Sequence, residues 1–241
     1  MAERSPPPRM VVPACTGHGA RSDGRLSESV NSAIIAIGGV FAVGGVLAER
    51  LASTWPPDEA QRRPIGWRTA LLGLTSGLVA AGVAARSQLP WWATGVYLAL
   101  LALLLVLTAT DLEQRRLPHV VLDPLILLGA LFVPFNPGVD PLMALIGAAA
   151  AVGFLGVLAL VVRGGLALGD LYLVAPIGLM LGWPAIFSAL FAAAFLSAGA
   201  GLLLLATRRV GMRSYIPFGP FLVAGAVLVL LFDERVLRVI R

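Results

Sequence analysis

Long apolar segments recur along this chain of 241 residues, and they limit the folds that it can adopt. A helix needs about 20 consecutive apolar residues to cross the hydrocarbon core of a bilayer. The chain offers several such segments, and 58% of its residues are hydrophobic while only 13% are charged. A transmembrane β-barrel is excluded because its strands alternate apolar and polar residues, and these segments do not. The sequence therefore predicts an all-α, polytopic membrane protein.

Eight segments of this kind are predicted to be membrane spans, and the last six would form one core. They lie at about residues 31–48, 69–86, 91–110, 119–134, 142–162, 171–183, 185–206 and 216–232. The predicted organisation is a disordered polar tail (1–30), two N-terminal spans with a short cysteine-free loop (31–90) and the membrane core (91–241). The segment 171–183 would reach only about 20 Å as a helix, so its helix is expected to begin upstream.

Arginine supplies all 18 basic residues of the chain and indicates its orientation in the membrane. If the loops 49–68, 111–118, 163–169 and 207–215 share one side, they hold ten arginines, whereas the opposite inter-helix loops hold only Arg86. The two tails, placed outside in this arrangement, hold the other seven. Short loops weigh more than tails in the positive-inside rule, so these four loops are predicted to be cytoplasmic. The sequence contains no run of basic residues interleaved with aromatic residues, so it does not favour binding to nucleic acid.

Two acidic residues stand at the ends of predicted spans on this cytoplasmic side. Asp170 ends the glycine-rich break 164–170, and Asp111 follows the third span. An ionisable group at the hydrocarbon boundary is costly, and such groups usually have a function. If the two carboxyls meet in a low-dielectric site, they cannot both ionise, and the pair holds one proton. The ionised member can then deprotonate a water while the other donates its proton to a scissile carbonyl, with no metal and no covalent intermediate.

The spacing of the two acids leaves a simpler interpretation open. Acids at helix ends are often solvated caps or partners of nearby arginines, here Arg115, Arg116 or Arg163. Among the other polar residues, Glu113 is expected to be solvated in a polar loop, and His119 is expected to cap the start of a helix.

Three motifs resemble those of the prepilin peptidases, the type IV leader peptidases, which are GxGD-type membrane aspartic peptidases. Asp111 precedes Leu117-Pro118 as in the first motif of that family. Residues 165–173 resemble its GxGD segment, and residues 216–221 (Ile-Pro-Phe-Gly-Pro-Phe) resemble the signature of its last helix. The three motifs occur in the order of the family over about residues 91–232.

The resemblance implies a peptidase of the cytoplasmic (inner) membrane that removes the short basic leader of type IV prepilins and pseudopilins at the cytoplasmic face. Asp111 and Asp170 match the catalytic aspartates of the family, and Gly169 and Pro118 match supporting positions in its motifs. The implied partners are prepilin or pseudopilin substrates and membrane lipid, and the oligomeric state is not predicted. No metal or other cofactor is implied for cleavage. The single cysteine, Cys15, excludes an internal disulfide and a four-thiolate zinc site.

The chain departs from the motifs of the family at three places. Ala167 replaces the first glycine of GxGD, and Tyr172 replaces the lysine that usually follows the aspartate by two residues. Tyr172 removes a cation near the carboxylates but offers a hydroxyl as a hydrogen-bond donor. The loop 49–68 lacks the paired Cys-x-x-Cys motifs of the bifunctional members, which also N-methylate the new N-terminus. The sequence therefore predicts a peptidase without the cysteine module, and methylation with S-adenosylmethionine stays open.

Five residues are candidates for contacts with the substrate: Asp123, Arg115, Arg116, Pro217 and Gly219. Asp123 lies inside an apolar run, where it either lines the substrate entrance or faces Arg115 or Arg116 from one or two turns away. Gly219, two residues after Pro217, is expected to let the last helix approach the site closely.

Other functions fit parts of the same pattern. A degenerate member of the family could act as a noncatalytic partner in the assembly of a pilus or secretion system, an alternative motivated by Ala167 and Tyr172. A small transporter would need charges near the bilayer midplane, whereas the charges of this chain cluster at one face. Presenilin-like GxGD proteases share the two aspartates but fit the segment 216–221 poorly.

Overall fold

A computed structural model describes residues 19–54, 66–114, 117–161, 168–208, 217–233 and 236–239, and these ranges are mainly helical. The helices, in chain order, are α1 (Gly19–Thr54), α2 (Trp67–Arg86), α3 (Trp91–Gln114), α4 (His119–Phe132), α5 (Pro141–Val161), α6 (Leu168–Leu181), α7 (Ala185–Ala206) and α8 (Gly219–Phe232). A short 3₁₀ helix, Val133–Phe135, follows α4. The eight predicted segments correspond to these eight helices, and the prediction of a polytopic helical membrane protein is confirmed.

The chain divides into two units, Met1–Ala33 and Ile34–Arg241. In the first unit the described part is the beginning of α1, where the Ser32 hydroxyl donates a hydrogen bond to the Ser29 carbonyl. This helix begins inside the segment that the sequence assigns to a polar tail, and residues 1–18 of that tail lie outside the described residues. Both aspartates belong to the second unit.

Helix length divides the eight helices into two groups. Five of them, α1, α2, α3, α5 and α7, contain stretches long and apolar enough to cross a membrane. The other three, α4, α6 and α8, are apolar but have only 14 residues each, or about 21 Å at 1.5 Å per residue. As expected, α6 begins upstream of residue 171, at Leu168. It ends where Gly182 adopts a left-handed φ of 69°, a conformation that glycine adopts without strain.

Helix α3 lies at the centre of the core of the second unit. Its side chains Tyr97, Leu100, Leu104 and Leu107 are almost completely buried, and the helix packs against α2, α4 and α8. Around it, α5 packs on α6, α4 on α6, and α7 on α8. Because α3 is surrounded in this way, a polar side chain that continues its buried face is also withdrawn from solvent.

Small residues let the helices approach closely where the packing is tightest. A Cβ atom added to Gly178 of α6 would lie 2.6 Å from the Cα atom of Ala148 in α5, and one added to Gly225 of α8 would overlap the Ala189 backbone of α7. In lipid, apolar side chains gain nothing by leaving the solvent, so close van der Waals contact between backbones holds helices together. These contacts hold α6 against α5 and α8 against α7.

The glycines of the first span differ from one another in their surroundings. A Cβ atom on Gly38 or Gly45 would contact α2, as expected for a packing face. A Cβ atom on Gly39 or Gly44 would have nothing within 4 Å. The packing face of α1 is therefore narrower than its glycine content indicates.

A buried hydrogen-bond network holds the end of α3 that lies away from Asp111. The Tyr97 hydroxyl donates to the Met180 carbonyl of α6 at 3.1 Å, and the Asn136 amide donates to the Tyr97 hydroxyl at 3.0 Å. The Gly138 N–H donates in turn to Asn136 Oδ1 at 3.0 Å. Satisfied buried polar networks favour one defined arrangement, so this network sets the position of α3 relative to α6.

Replacing Gly225 by alanine should destabilise the protein, whereas the same change at Gly199 should not. The added Cβ atom at position 225 would overlap the Ala189 backbone and lie 2.9 Å from the Ala193 nitrogen, so α7 and α8 would have to separate. Such overpacking costs about 1–3 kcal/mol. At position 199 the added Cβ atom would have nothing within 4 Å. Thermal unfolding in detergent measures both variants, and equal melting temperatures would contradict the close packing of α7 and α8.

Candidate active site

Asp111 lies in the last turn of α3 and is only 7% exposed. It is buried because it continues the face of α3 that carries Leu100, Leu104 and Leu107, since residues four, seven and eleven positions apart share one side of a helix. Its Oδ2 atom is buried and accepts no hydrogen bond from any group in the described ranges. A buried carboxyl oxygen without a donor is costly, so stability does not account for an acid at this position.

Asp170 lies in the first turn of α6 and is 2% exposed. The buried side chains of Leu173, Val174 and Ile177 follow it at three, four and seven residues, so it stands at the start of the buried face of α6. An acidic side chain in the first turn of a helix is stabilised by the partial positive charge of the N-terminal amides. The helix therefore buries this carboxyl and compensates part of its charge.

The backbone of Gly219, the first residue of α8, brings the two acids to one place. A Cβ atom added to Gly219 would lie 2.6 Å from Oδ2 of Asp111 and 3.5 Å from Oδ1 of Asp170. Both carboxyls thus converge on the same backbone position, close enough to interact electrostatically. Any side chain at position 219 would occupy the space of the Asp111 carboxyl. The predicted close approach of the last helix is therefore present at Gly219, and Pro217, two residues before it, is half-buried.

A second close contact joins the segments that carry the two aspartates. A Cβ atom on Gly169 would lie 2.9 Å from Cδ1 of Leu117, so the leucine packs directly against the glycine before Asp170. Pro118 follows this leucine as the N-cap residue of α4, one position before the helix begins. The Leu-Pro pair thus has two structural roles, because the leucine holds α6 in place and the proline starts α4. Sequence reasoning gave Leu117 no role of its own, and its position before the proline was the only available signal.

Three of the predicted site residues lie outside the described residues. These are Arg115, Arg116 and Ala167. Their predicted contacts with the aspartates or the substrate therefore stay predictions.

Asp123 and Tyr172 lie on exposed surfaces and not in the interior. Asp123 lies inside an apolar run of the sequence, and in the structure its side chain is 71% exposed, with Oδ1 3.4 Å from Nδ1 of His119 one turn earlier in α4. Tyr172 is 52% exposed, and its ring meets the ring of His119 edge to face with centroids 5.9 Å apart. The apolar residues of α4 surround the helix, so their sequence does not show which face is covered. Whether Asp123 lines the substrate entrance or faces an arginine stays a prediction.

Two smaller expectations about helix ends also require correction. Glu113 was expected in a solvated loop, but α3 continues to Gln114, so Glu113 is a half-buried helical residue. His119 is the first residue of α4, while Pro118 occupies the cap position. Among the described residues, no group of three or more His, Cys, Asp or Glu side chains is arranged to hold a metal ion.

Comparison with known proteins identifies the family to which the sequence around this site is similar. Residues 98–202 match the model of the type IV leader peptidase family, and the match includes both aspartates, Gly169 and Tyr172. Residues 98–202 belong to the type IV leader peptidase family. The resemblance drawn from the three motifs is thereby confirmed. No solved structure gives a match to the chain.

Curated relatives extend the match beyond these residues. A Burkholderia pseudomallei protein named prepilin leader peptidase/N-methyltransferase is 36% identical over 176 residues, which cover 71% of this chain and 57% of the relative. Proteins of the same name are 31% identical over 144 residues in Bacillus subtilis (57% of the chain, 55% of the relative) and 32% identical over 180 residues in Aeromonas hydrophila (73% and 62%). The chain therefore spans between 55% and 62% of the length of these three leader peptidases.

Replacing Asp111 by asparagine should raise the stability of the protein by about 1 kcal/mol, because a neutral amide removes the cost of holding two acids, with one proton between them, away from water. Active sites commonly give up stability in this way. Asp123→Asn is the control, since this carboxyl is exposed and its loss should change stability by less than about 0.5 kcal/mol. Thermal unfolding at neutral pH measures both variants. A lower melting temperature for Asp111→Asn would contradict the convergence of the carboxyls.

Proposed function

We propose that this chain is a membrane aspartic endopeptidase that removes the short leader of type IV prepilin-like proteins. The observation that carries the proposal is the convergence of the Asp111 and Asp170 carboxyls on Gly219. Two further observations support it: both aspartates lie inside the family match, and the curated relatives are named prepilin leader peptidases. The substrates would be prepilins or pseudopilins.

In the proposed mechanism the two carboxyls share one proton, because two buried acids at this separation cannot both ionise comfortably. The ionised carboxyl takes a proton from a water, whose oxygen attacks the carbon of the scissile peptide bond. The protonated carboxyl donates its proton to the carbonyl oxygen, and a tetrahedral diol forms. The diol then collapses: the carboxyl that took the proton of the water gives it to the leaving nitrogen, the C–N bond breaks, and the other carboxylate takes the proton of one diol hydroxyl as the carbonyl re-forms. Water has then been added across the bond, and the dyad again holds one proton.

The surrounding residues act by holding the carboxyls in place. Leu117 against Gly169 positions the start of α6, and Gly219 leaves the space that the Asp111 carboxyl occupies. Pro118 and Pro217 stand at the starts of α4 and α8, the two helices that contribute these contacts. The proposed hydrolysis requires no cofactor, and the loop 49–68 holds no cysteine motif like that of the methylating members of the family.

The proposed location is the inner membrane of a bacterium, with the dyad at the cytoplasmic face. The end of α3 and the starts of α4, α6 and α8 lie at the dyad end of the second unit. The sequence segments 111–118, 163–169 and 207–215, which precede the starts of α4, α6 and α8 or include them, hold two, one and three arginines. Arginine-rich short loops stay on the cytoplasmic side.

A noncatalytic assembly partner is the second candidate. Tyr172 stands where the family usually has a lysine, and its exposed ring packs against His119. Residue 172 therefore supplies no positive charge near Asp170. If the native chain fails to cleave prepilins from its own genome, the double variant Ala167→Gly, Tyr172→Lys should create activity under this second candidate.

Asp111→Asn and Asp170→Asn should each lower leader cleavage by at least about 100-fold, because either change removes a proton donor or acceptor from the reaction. The assay uses membranes that contain the chain and a prepilin from the same genome, with cleavage read on a gel. Glu28→Gln, at an exposed position on α1, should leave cleavage unchanged. Membrane levels of all variants should match. Retained cleavage in either aspartate variant would rule out the two-aspartate mechanism.

Gly219→Ala should abolish most of the cleavage while the protein stays folded. The new Cβ atom meets the end of the Asp111 side chain and not backbone, so the carboxyl rotates away and the fold is kept. Moving a reacting group by about 1 Å costs about 100-fold in rate. Gly199→Ala is the control because its Cβ atom meets nothing within 4 Å. Full activity of Gly219→Ala at an unchanged melting temperature would show that the carboxyls do not act at this position.

A further inference from the structure

Three exposed side chains meet where the first two turns of α4 and α6 lie side by side. His119 and Asp123 belong to α4, with Nδ1 and Oδ1 3.4 Å apart and side chains that are 70% and 71% exposed. Tyr172 of α6 completes the cluster through the edge-to-face contact with the His119 ring, at 5.9 Å between centroids and 73° between planes. The cluster therefore presents a carboxylate, an imidazole and an aromatic ring on one accessible surface.

This surface lies at the same end of α4 and α6 as the dyad, with Tyr172 and Asp170 on different sides of α6. Tyr172 follows Asp170 by two residues, and His119 follows Leu117, the residue that packs on Gly169, also by two. An extended peptide advances about 3.3 Å per residue. Because Tyr172 and Asp170 belong to adjacent turns of one helix, a few residues of extended peptide are long enough to reach from the dyad to the cluster.

The chemistry of the cluster favours a cation. The Asp123 carboxylate contacts the His119 imidazole, and within the described part of the chain no guanidinium lies at ion-pair distance from it. A carboxylate forms short, charge-assisted hydrogen bonds to ammonium and guanidinium groups. The face of a tyrosine ring attracts the same groups within about 6 Å. Leu168, exposed one turn before Tyr172 on α6, offers apolar surface to the aliphatic stem of a lysine or arginine.

The cluster contributes little to the stability of the fold. An exposed pair four residues apart on a helix adds about 0.3–0.5 kcal/mol. Its side chains can therefore be changed without unfolding the protein, and an effect on cleavage can be assigned to binding.

We propose that Asp123, held by His119 and flanked by Tyr172, is a specificity-determining subsite that binds one lysine or arginine side chain of the peptide substrate near the scissile bond. The inference rests on the proposed peptidase function and deepens it. It also gives Tyr172 a role outside the dyad, as an aromatic wall of the subsite.

A charge exchange between enzyme and substrate tests the subsite. In the first step, each lysine or arginine near the cleaved bond of a prepilin is changed to glutamate, one at a time. With the native chain, one of these changes should raise KM about tenfold and leave kcat unchanged, since a contact kept throughout the reaction adds uniform binding. In the second step, Asp123→Lys should show the same defect with the native prepilin. With the one glutamate-containing prepilin for which the native chain shows a raised KM, the KM of Asp123→Lys should return towards the value of the native chain with the native prepilin.

Two further variants separate the subsite from general effects of charge. Glu28→Lys makes the same change of charge at another exposed carboxylate and should leave KM unchanged for every substrate. Tyr172→Leu, which keeps bulk and removes the ring face, should raise KM less than Asp123→Lys does. An unchanged KM in Asp123→Lys, or a defect that no charge-reversed prepilin relieves, would overturn the subsite while the native chain still cleaves. Failure of the native chain to cleave any prepilin would instead count against the proposed function.

Discussion

Two buried carboxyls converge on a backbone position that has no side chain, and the packing of the surrounding helices has to accommodate this constraint. Asp111 and Asp170 are almost fully buried, and a Cβ atom on Gly219 would touch an oxygen of each. Two acids placed together away from water repel each other and lose their hydration, so this arrangement opposes stability. Such a cost is expected where the acids have chemical work to do.

The packing of the rest of the second unit holds this arrangement in place. The carboxyls come from the end of α3 and the start of α6, while Gly219 starts α8. At the other end of the bundle, the Tyr97 hydroxyl joins α3 to the last turn of α6 through the Met180 carbonyl. Glycines that allow backbones to touch hold α6 against α5 and α8 against α7. The three helix ends at the dyad are therefore positioned by contacts along the full length of their helices.

The sequence predicted well what depends on long apolar runs and on the order of motifs. The eight helices, the early start of α6 and the close approach at Gly219 follow from segment length and from glycine and proline positions. The faces of the helices could not be predicted, because helices that are apolar all round carry no periodic signal of which side is buried. This is why the sequence left open which side of α4 carries Asp123, whose side chain is exposed. It is also why the packing of Leu117 on Gly169 was not foreseen.

The central claim, that the two carboxyls converge, is tested most directly by cross-linking. In a Cys15→Ser background, the pair Asp111→Cys and Asp170→Cys is treated in membranes with a bifunctional thiol reagent whose spacer reaches only a few ångströms. The pair Asp111→Cys and Asp140→Cys is the control, because these positions lie near opposite ends of α4, about 20 Å apart along its axis. The account predicts an intramolecular cross-link in the first pair and none in the second. No cross-link in the first pair, or equal cross-linking in both, would contradict it.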